Sequence, residues 1–72
     1  MQLIQLRENQ EFMTLGQVLK SEGIIGTGGQ IKWFLSEYVV KVNGEQETRR
    51  GRKLRAGDEI FIEGHGDFKI IE

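Results

Sequence analysis

The chain has no cysteine and no proline, and only one histidine and one tryptophan. Without thiols there can be no disulfide and no thiolate metal centre, and His65 alone cannot build a zinc or haem site. No stretch reaches the roughly 18 apolar residues that a membrane-spanning helix needs. The opening Met1–Arg7 has neither the basic segment nor the apolar core of a secretory leader. A cytoplasmic chain without a lipid anchor is therefore expected. No linker or low-complexity tract divides the sequence, so its 72 residues are expected to form one domain, residues 1–72. A domain of that size has little room for a large internal substrate cavity.

Global positive charge is also lacking. The net charge is -1 and the isoelectric point about 5.8, so any attraction to a polyanion must come from a patch. One exists: Arg49, Arg50, Arg52, Lys53 and Arg55 place five cations within seven residues. Setting those five aside leaves the other residues with a net charge of -6.

Leu3-Ile4-Gln5-Leu6 reads as a first strand or an extended arm, within an N-terminal segment 1–13. Thr14-Leu15-Gly16-Gln17 has the spacing of a capping box, and Met13 and Val18 are placed as a hydrophobic staple. A helix should start there, burying Leu15, Val18 and Leu19 and ending at Gly23, with Ile24 folding back on Leu19. Thr27-Gly28-Gly29-Gln30 repeats the capping-box spacing, and Ile31, Phe34, Leu35 and Tyr38 define the buried face of a second helix. Trp33 falls about 200° from Ile31 around that helix, off the apolar stripe.

After Val39 the period becomes two. Val40 and Val42 face one way and Lys41 the other, and Asn43-Gly44 is a strong hairpin signal. The basic segment then reads as loop as far as Ala56-Gly57-Asp58. Ile60 and Ile62 form a strand, Gly64-His65-Gly66-Asp67 a turn, and residues 63–72 supply the closing strand from Phe68. The expected class is α+β, with two short helices packed on a small antiparallel sheet of hairpins.

This order, with Lys41-Val42-Asn43-Gly44 and Arg52-Lys53-Leu54-Arg55-Ala56-Gly57-Asp58-Glu59-Ile60, resembles the alpha-L RNA-binding motif, the S-four domain known from small-subunit ribosomal protein four. The likeness covers residues 14–62, and the chain looks closest to the short stand-alone members of YaaA type. The resemblance implies a non-enzymatic module that grips structured RNA, ribosomal RNA above all, through the second helix and the loop after the hairpin. By position it implies RNA contacts at Lys32 and Lys41, with Arg49, Arg50, Arg52, Lys53 and Arg55 as the phosphate clamp. Thr27-Gly28 stands where relatives often have Ser-Arg, and Tyr38 where they often have Gly, so the usual contact set is altered.

Each of these residues also has a plainer role. A basic run can be a solvated loop that contributes little to stability, although arginine forks fit phosphate bidentately. Lys32 is a surface lysine by default. Trp33 either packs under the N-terminal arm or offers a face for stacking a base or an arginine. Gly28 and Gly29 can expose amides to a phosphate at a helix start, but a tight interhelical turn is the role that accounts for them better, and no nucleotide-binding fingerprint surrounds them. His65, between two glycines, reads as exposed and inert. No nucleophile, base and orienting group come together, so neither catalysis nor a cofactor is expected. The expected partner is structured RNA, with ribosome or ribosome-assembly proteins in addition, and the chain itself is expected to be a monomer. The rival reading is a protein-interaction module whose basic loop docks on an acidic partner in a ribosome-associated assembly.

Overall fold

Hydrophobic alternation and helix caps determine most of the local elements, and the computed structural model describes all of residues 1–72. The order is β1 (Gln2–Gln5), β2 (Met13–Thr14), α1 (Leu15–Ser21), α2 (Gly29–Glu37), β3 (Val40–Val42), β4 (Glu45–Gln46), β5 (Lys53–Leu54), β6 (Glu59–Ile62) and β7 (Gly66–Ile71). The main sheet has the strand order β1-β7-β6-β3-β4, and β2 and β5 form a separate two-stranded ladder.

The α+β class holds, with one departure in the sheet. Strand β1 runs parallel to β7, pairing Ile4 with Ile70, while the other pairs are antiparallel. The sheet is thus mixed, because the N-terminal segment reaches the last strand and not a hairpin neighbour. Alternation in Leu3-Ile4-Gln5-Leu6 predicts a strand but cannot name its partner.

Helix α1 has the expected ends. Thr14 Oγ1 accepts from Gln17 N at 3.2 Å, and Gln17 Oε1 accepts from Thr14 N at 2.8 Å. At the C-terminus Gly23 adopts φ +72°, Gly23 N donates to Lys20 O and Ile24 N donates to Leu19 O. That pair of bonds is the Schellman motif, which glycine accommodates without a Cβ penalty. The second capping box does not form. Gly28 is the N-cap, with helical φ and ψ and no side-chain cap, and Gln30 Oε1 instead accepts from Gly26 N at 3.1 Å. The glutamine side chain closes the interhelical turn, and Gln30 meets Thr27 only through the backbone, Gln30 N donating to Thr27 O at 3.1 Å.

The core joins seventeen buried apolar residues in one cluster, including Leu15, Val18 and Leu19 from α1, Ile31, Phe34 and Leu35 from α2, and Val40, Val42, Ile60, Ile62, Phe68 and Ile70 from the sheet. Tyr38 is not among them. It ends α2 in an extended conformation, 39% exposed, with its ring stacked on Phe34 at 4.7 Å. The Asn43-Gly44 turn has φ of +51° and +86°, as a type I′ hairpin requires. Asn43 Nδ2 also donates to Asp58 Oδ1, and Asn43 Oδ1 accepts from Glu59 N, tying the turn to the start of β6.

Candidate nucleic-acid interface

The basic segment is shaped by a residue that sequence reasoning passed over. Glu47, just after β4, is the one buried charged residue in the molecule. Its carboxylate accepts five hydrogen bonds. Oε2 takes Thr48 N, Arg49 N and Arg49 Nε, each at 3.1 Å, while Oε1 takes Arg49 Nη2 at 3.1 Å and Arg52 Nη1 at 3.0 Å. The Arg49 side chain and amide, assisted by Arg52, hold the carboxyl at about 2 against a usual value of 4.5, overcoming the opposite pull of burial. Glu47 is therefore ionised and cancels part of the positive charge that the sequence concentrates here.

The segment is not simply a free loop. Leu15 N donates to Arg52 O and Gly16 N to Arg50 O, both at 2.9 Å, so two amides in the first turn of α1 are satisfied by the backbone between the arginines. Immediately afterwards β5 pairs with β2, Met13 with Leu54 and Thr14 with Lys53. Helix α1 thus has its first turn covered by residues 50–54. Gly16 permits the approach, since a Cβ there would lie 3.1 Å from Ile31 Cδ1 and 3.4 Å from Arg50 O. The same contacts bring the start of α2 alongside Arg50.

The five loop cations divide into two groups. Arg49 and Arg52 form ion pairs with Glu47, whereas Arg50, Lys53 and Arg55 form none. Lys53 Nζ lies 5.1 Å from the centre of the Phe12 ring and the Arg55 guanidinium carbon 5.6 Å from it. Phe12 therefore holds two cations side by side by cation–π attraction. Asp58 Oδ2 accepts from Arg55 N at 2.7 Å and fixes the backbone at the end of the segment. Arg49, Gly51, Arg52, Lys53, Arg55 and Asp58 line one open concavity.

The remaining candidate residues are dispersed. Lys32 is exposed on α2, next to the buried Ile31. Lys41 is exposed on β3 between the buried Val40 and Val42, and pairs with Gln46 and Phe61. It projects from the sheet face opposite the core. Gly28 and Gly29 are exposed, with open space where a Cβ would sit. Trp33 does not pack under the N-terminal arm. It is 55% exposed, and its ring meets that of Tyr38 edge-on at 5.9 Å. The arm pairs along β7 at the edge of the sheet.

Glu47 and Phe12 are the contributors that sequence reasoning missed. A Glu two residues before an Arg is too common a pattern to single out, and Phe12 is remote in sequence from the cations it touches. The sequence pattern of the S4 domain family matches residues 4–71. A protein of Bacillus subtilis (strain 168), named "Probable ribosome maturation protein RlbA", is 54% identical over 61 residues, covering 85% of this chain and 86% of that protein. The "Putative RNA-binding protein YbcJ" of Escherichia coli (strain K12) is 41% identical over 51 residues, covering 71% of this chain and 73% of that protein.

Proposed function

The chain belongs to the S4 domain family, and we propose that it is a non-enzymatic module that binds structured RNA, with ribosomal RNA as the target class and ribosome maturation as the setting. The observation that carries this reading is the docking of residues 50–54 on the first turn of α1, which holds the unpaired cations Arg50, Lys53 and Arg55 on a rigid base. A clamp ordered before RNA arrives loses less conformational entropy on binding. The name of one relative states RNA binding and that of the other ribosome maturation, and together they support the ligand class and the setting of this reading.

In this reading Arg50, Lys53 and Arg55 neutralise phosphates directly, and Lys32 extends the contact along α2. Arg49 and Arg52 stay charged but are partly engaged by Glu47, so their first role is to shape the segment. Lys41, on the other side of the sheet, takes a separate and weaker part. The amides of Gly28 and Gly29 are open to a phosphate at the start of α2, and Trp33 is available for stacking on that helix. Recognition is led by backbone and shape, because A-form RNA buries its base edges in a deep, narrow major groove. The chain acts alone or beside other ribosome-assembly proteins in the cytoplasm.

The test is crosslinking in cells followed by sequencing of the bound RNA, with the Arg50→Gln, Lys53→Gln double variant as control. Enrichment of one structured ribosomal RNA segment that disappears in the variant is the expected result. Equal recovery from both proteins would remove the loop from the binding surface.

A further inference from the structure

A second surface feature shares no lining residue with the basic concavity. Ile24, Ile25, Gln30, Trp33, Phe34, Tyr38, Glu63, Gly64 and His65 form a cleft of about 250 Å³ between α2 and the β6–β7 turn. Its walls are aromatic. Phe34 and Tyr38 stack at 4.7 Å and 20°, Trp33 meets Tyr38 at 5.9 Å and 74°, and the His65 ring centre is 6.4 Å from that of Phe34. The perpendicular Trp33 and Tyr38 rings make a corner that is open to solvent, with Val39 exposed beside it.

The electrostatics of this corner favour cations. No lysine or arginine lines the cleft, and Glu63 does. Glu63 Oε1 accepts from Val39 N at 2.7 Å, which holds the carboxylate against the end of α2. That helix has no basic residue in its last turn, and Glu37 is its final residue. The negative end of the helix dipole, two carboxylates and the faces of exposed aromatic rings all attract positive charge. A polyanion would meet the opposite balance here from the one it meets at the Arg49–Arg55 segment.

We propose that this corner is a docking site for a basic segment of a protein partner, which seats an arginine or lysine side chain over the Trp33 and Tyr38 rings. An apolar neighbour of that side chain enters the cleft against Ile24, Ile25 and Phe34. The module would then hold RNA on its basic segment and a cationic protein segment on its aromatic corner. This inference does not depend on RNA binding by the basic segment, because the cleft and the basic concavity share no lining residue; it assigns Trp33 to the protein partner in place of base stacking.

Trp33 is the only tryptophan in the chain, so its fluorescence reports on this corner alone. The probes are a blocked peptide with Arg-Leu-Arg at its centre, the same peptide with Gln-Leu-Gln, and a single-stranded oligouridylate. The arginine peptide should shift Trp33 emission saturably and bind about tenfold more tightly than the glutamine peptide, within the range expected for a partly desolvated cation–π contact. The Glu37→Gln, Glu63→Gln double variant keeps the Val39 hydrogen bond and should lose most of that preference at unchanged melting temperature. The Arg50→Gln, Lys53→Gln variant should bind the peptide as the natural chain does, even where it fails to bind RNA. Equal binding of the two peptides would overturn the proposal. So would a response to oligouridylate without one to the arginine peptide, which would make the corner a base-stacking platform.

Discussion

Glu47 grips Arg49 by both ends of its guanidinium fork, with Oε2 on Nε and Oε1 on Nη2, each at 3.1 Å. The same carboxylate reaches Arg52, so one buried acid organises two of the five loop cations. The positive segment is built around a negative centre.

Replacing Glu47 by Ala leaves the Thr48 and Arg49 amides without their acceptor and two guanidiniums without a counter-charge. We expect a loss of about 1–3 kcal/mol, the usual cost of orphaned donors. At roughly 4–8 °C per kcal/mol for a domain of this size, thermal melting followed by circular dichroism will read it. An unchanged melting temperature would show that water replaces the carboxylate at no cost.

Acid should expose the same pair. The folded carboxyl titrates at about 2 and the unfolded one at its ordinary 4.5, so ionised Glu47 stabilises the fold fully above 4.5. That contribution fades as pH falls from 4.5 through about 2, because the unfolded chain takes up the proton first. The advantage of the natural chain over Glu47→Gln should therefore be largest near neutrality and should shrink in acid. Parallel pH profiles for the two proteins would contradict the ion-pair account.

Gly16 is the residue that lets the basic segment approach α1. Valine there needs space already taken by Ile31 Cδ1 and the Arg50 carbonyl. We expect Gly16→Val to destabilise by about 1–3 kcal/mol, as overpacking does, and to weaken RNA binding by displacing Arg50. Urea denaturation and a binding isotherm on one preparation test both effects.

Charge reversal should separate the two groups of cations. Changing Arg49, Arg50 and Arg52 together to Glu surrounds the buried Glu47 with like charge, so the variant should fold poorly as well as fail to bind. The plain expectation that loop charges matter little for stability does not hold for Arg49 and Arg52, because their partner is buried. Arg50→Gln with Lys53→Gln should keep stability within about 0.5 kcal/mol. That variant should make the slope of log K against log salt shallower by about 1.4–1.8, at about 0.7–0.9 per lost phosphate contact. A reduced affinity with an unchanged slope would mean that these side chains do not touch phosphates.

Short-range signals in the sequence were reliable guides to structure. Thr14 and Gln17 capped α1, Gly23 ended it, and Asn43-Gly44 turned the chain, because each works through atoms within a few residues of itself. The same reasoning failed at Thr27 and Gln30, where Gly26 offered its amide to the glutamine and Gly28 began the helix without a cap. Tyr38 has the right helical spacing for the core, but α2 ends there and its ring is carried to the surface over Phe34.

By itself, the sequence determined the helices, the hairpin, the apolar faces and the concentration of charge between Arg49 and Arg55. Those depend on periodicity, capping and local composition. Tertiary structure alone decided that β1 lies parallel to β7, that residues 50–54 cover the first turn of α1, that Glu47 claims Arg49 and Arg52, and that Trp33 faces solvent. Each of these is a meeting of distant segments or a competition for buried space, and neither is encoded in the spacing of neighbouring residues.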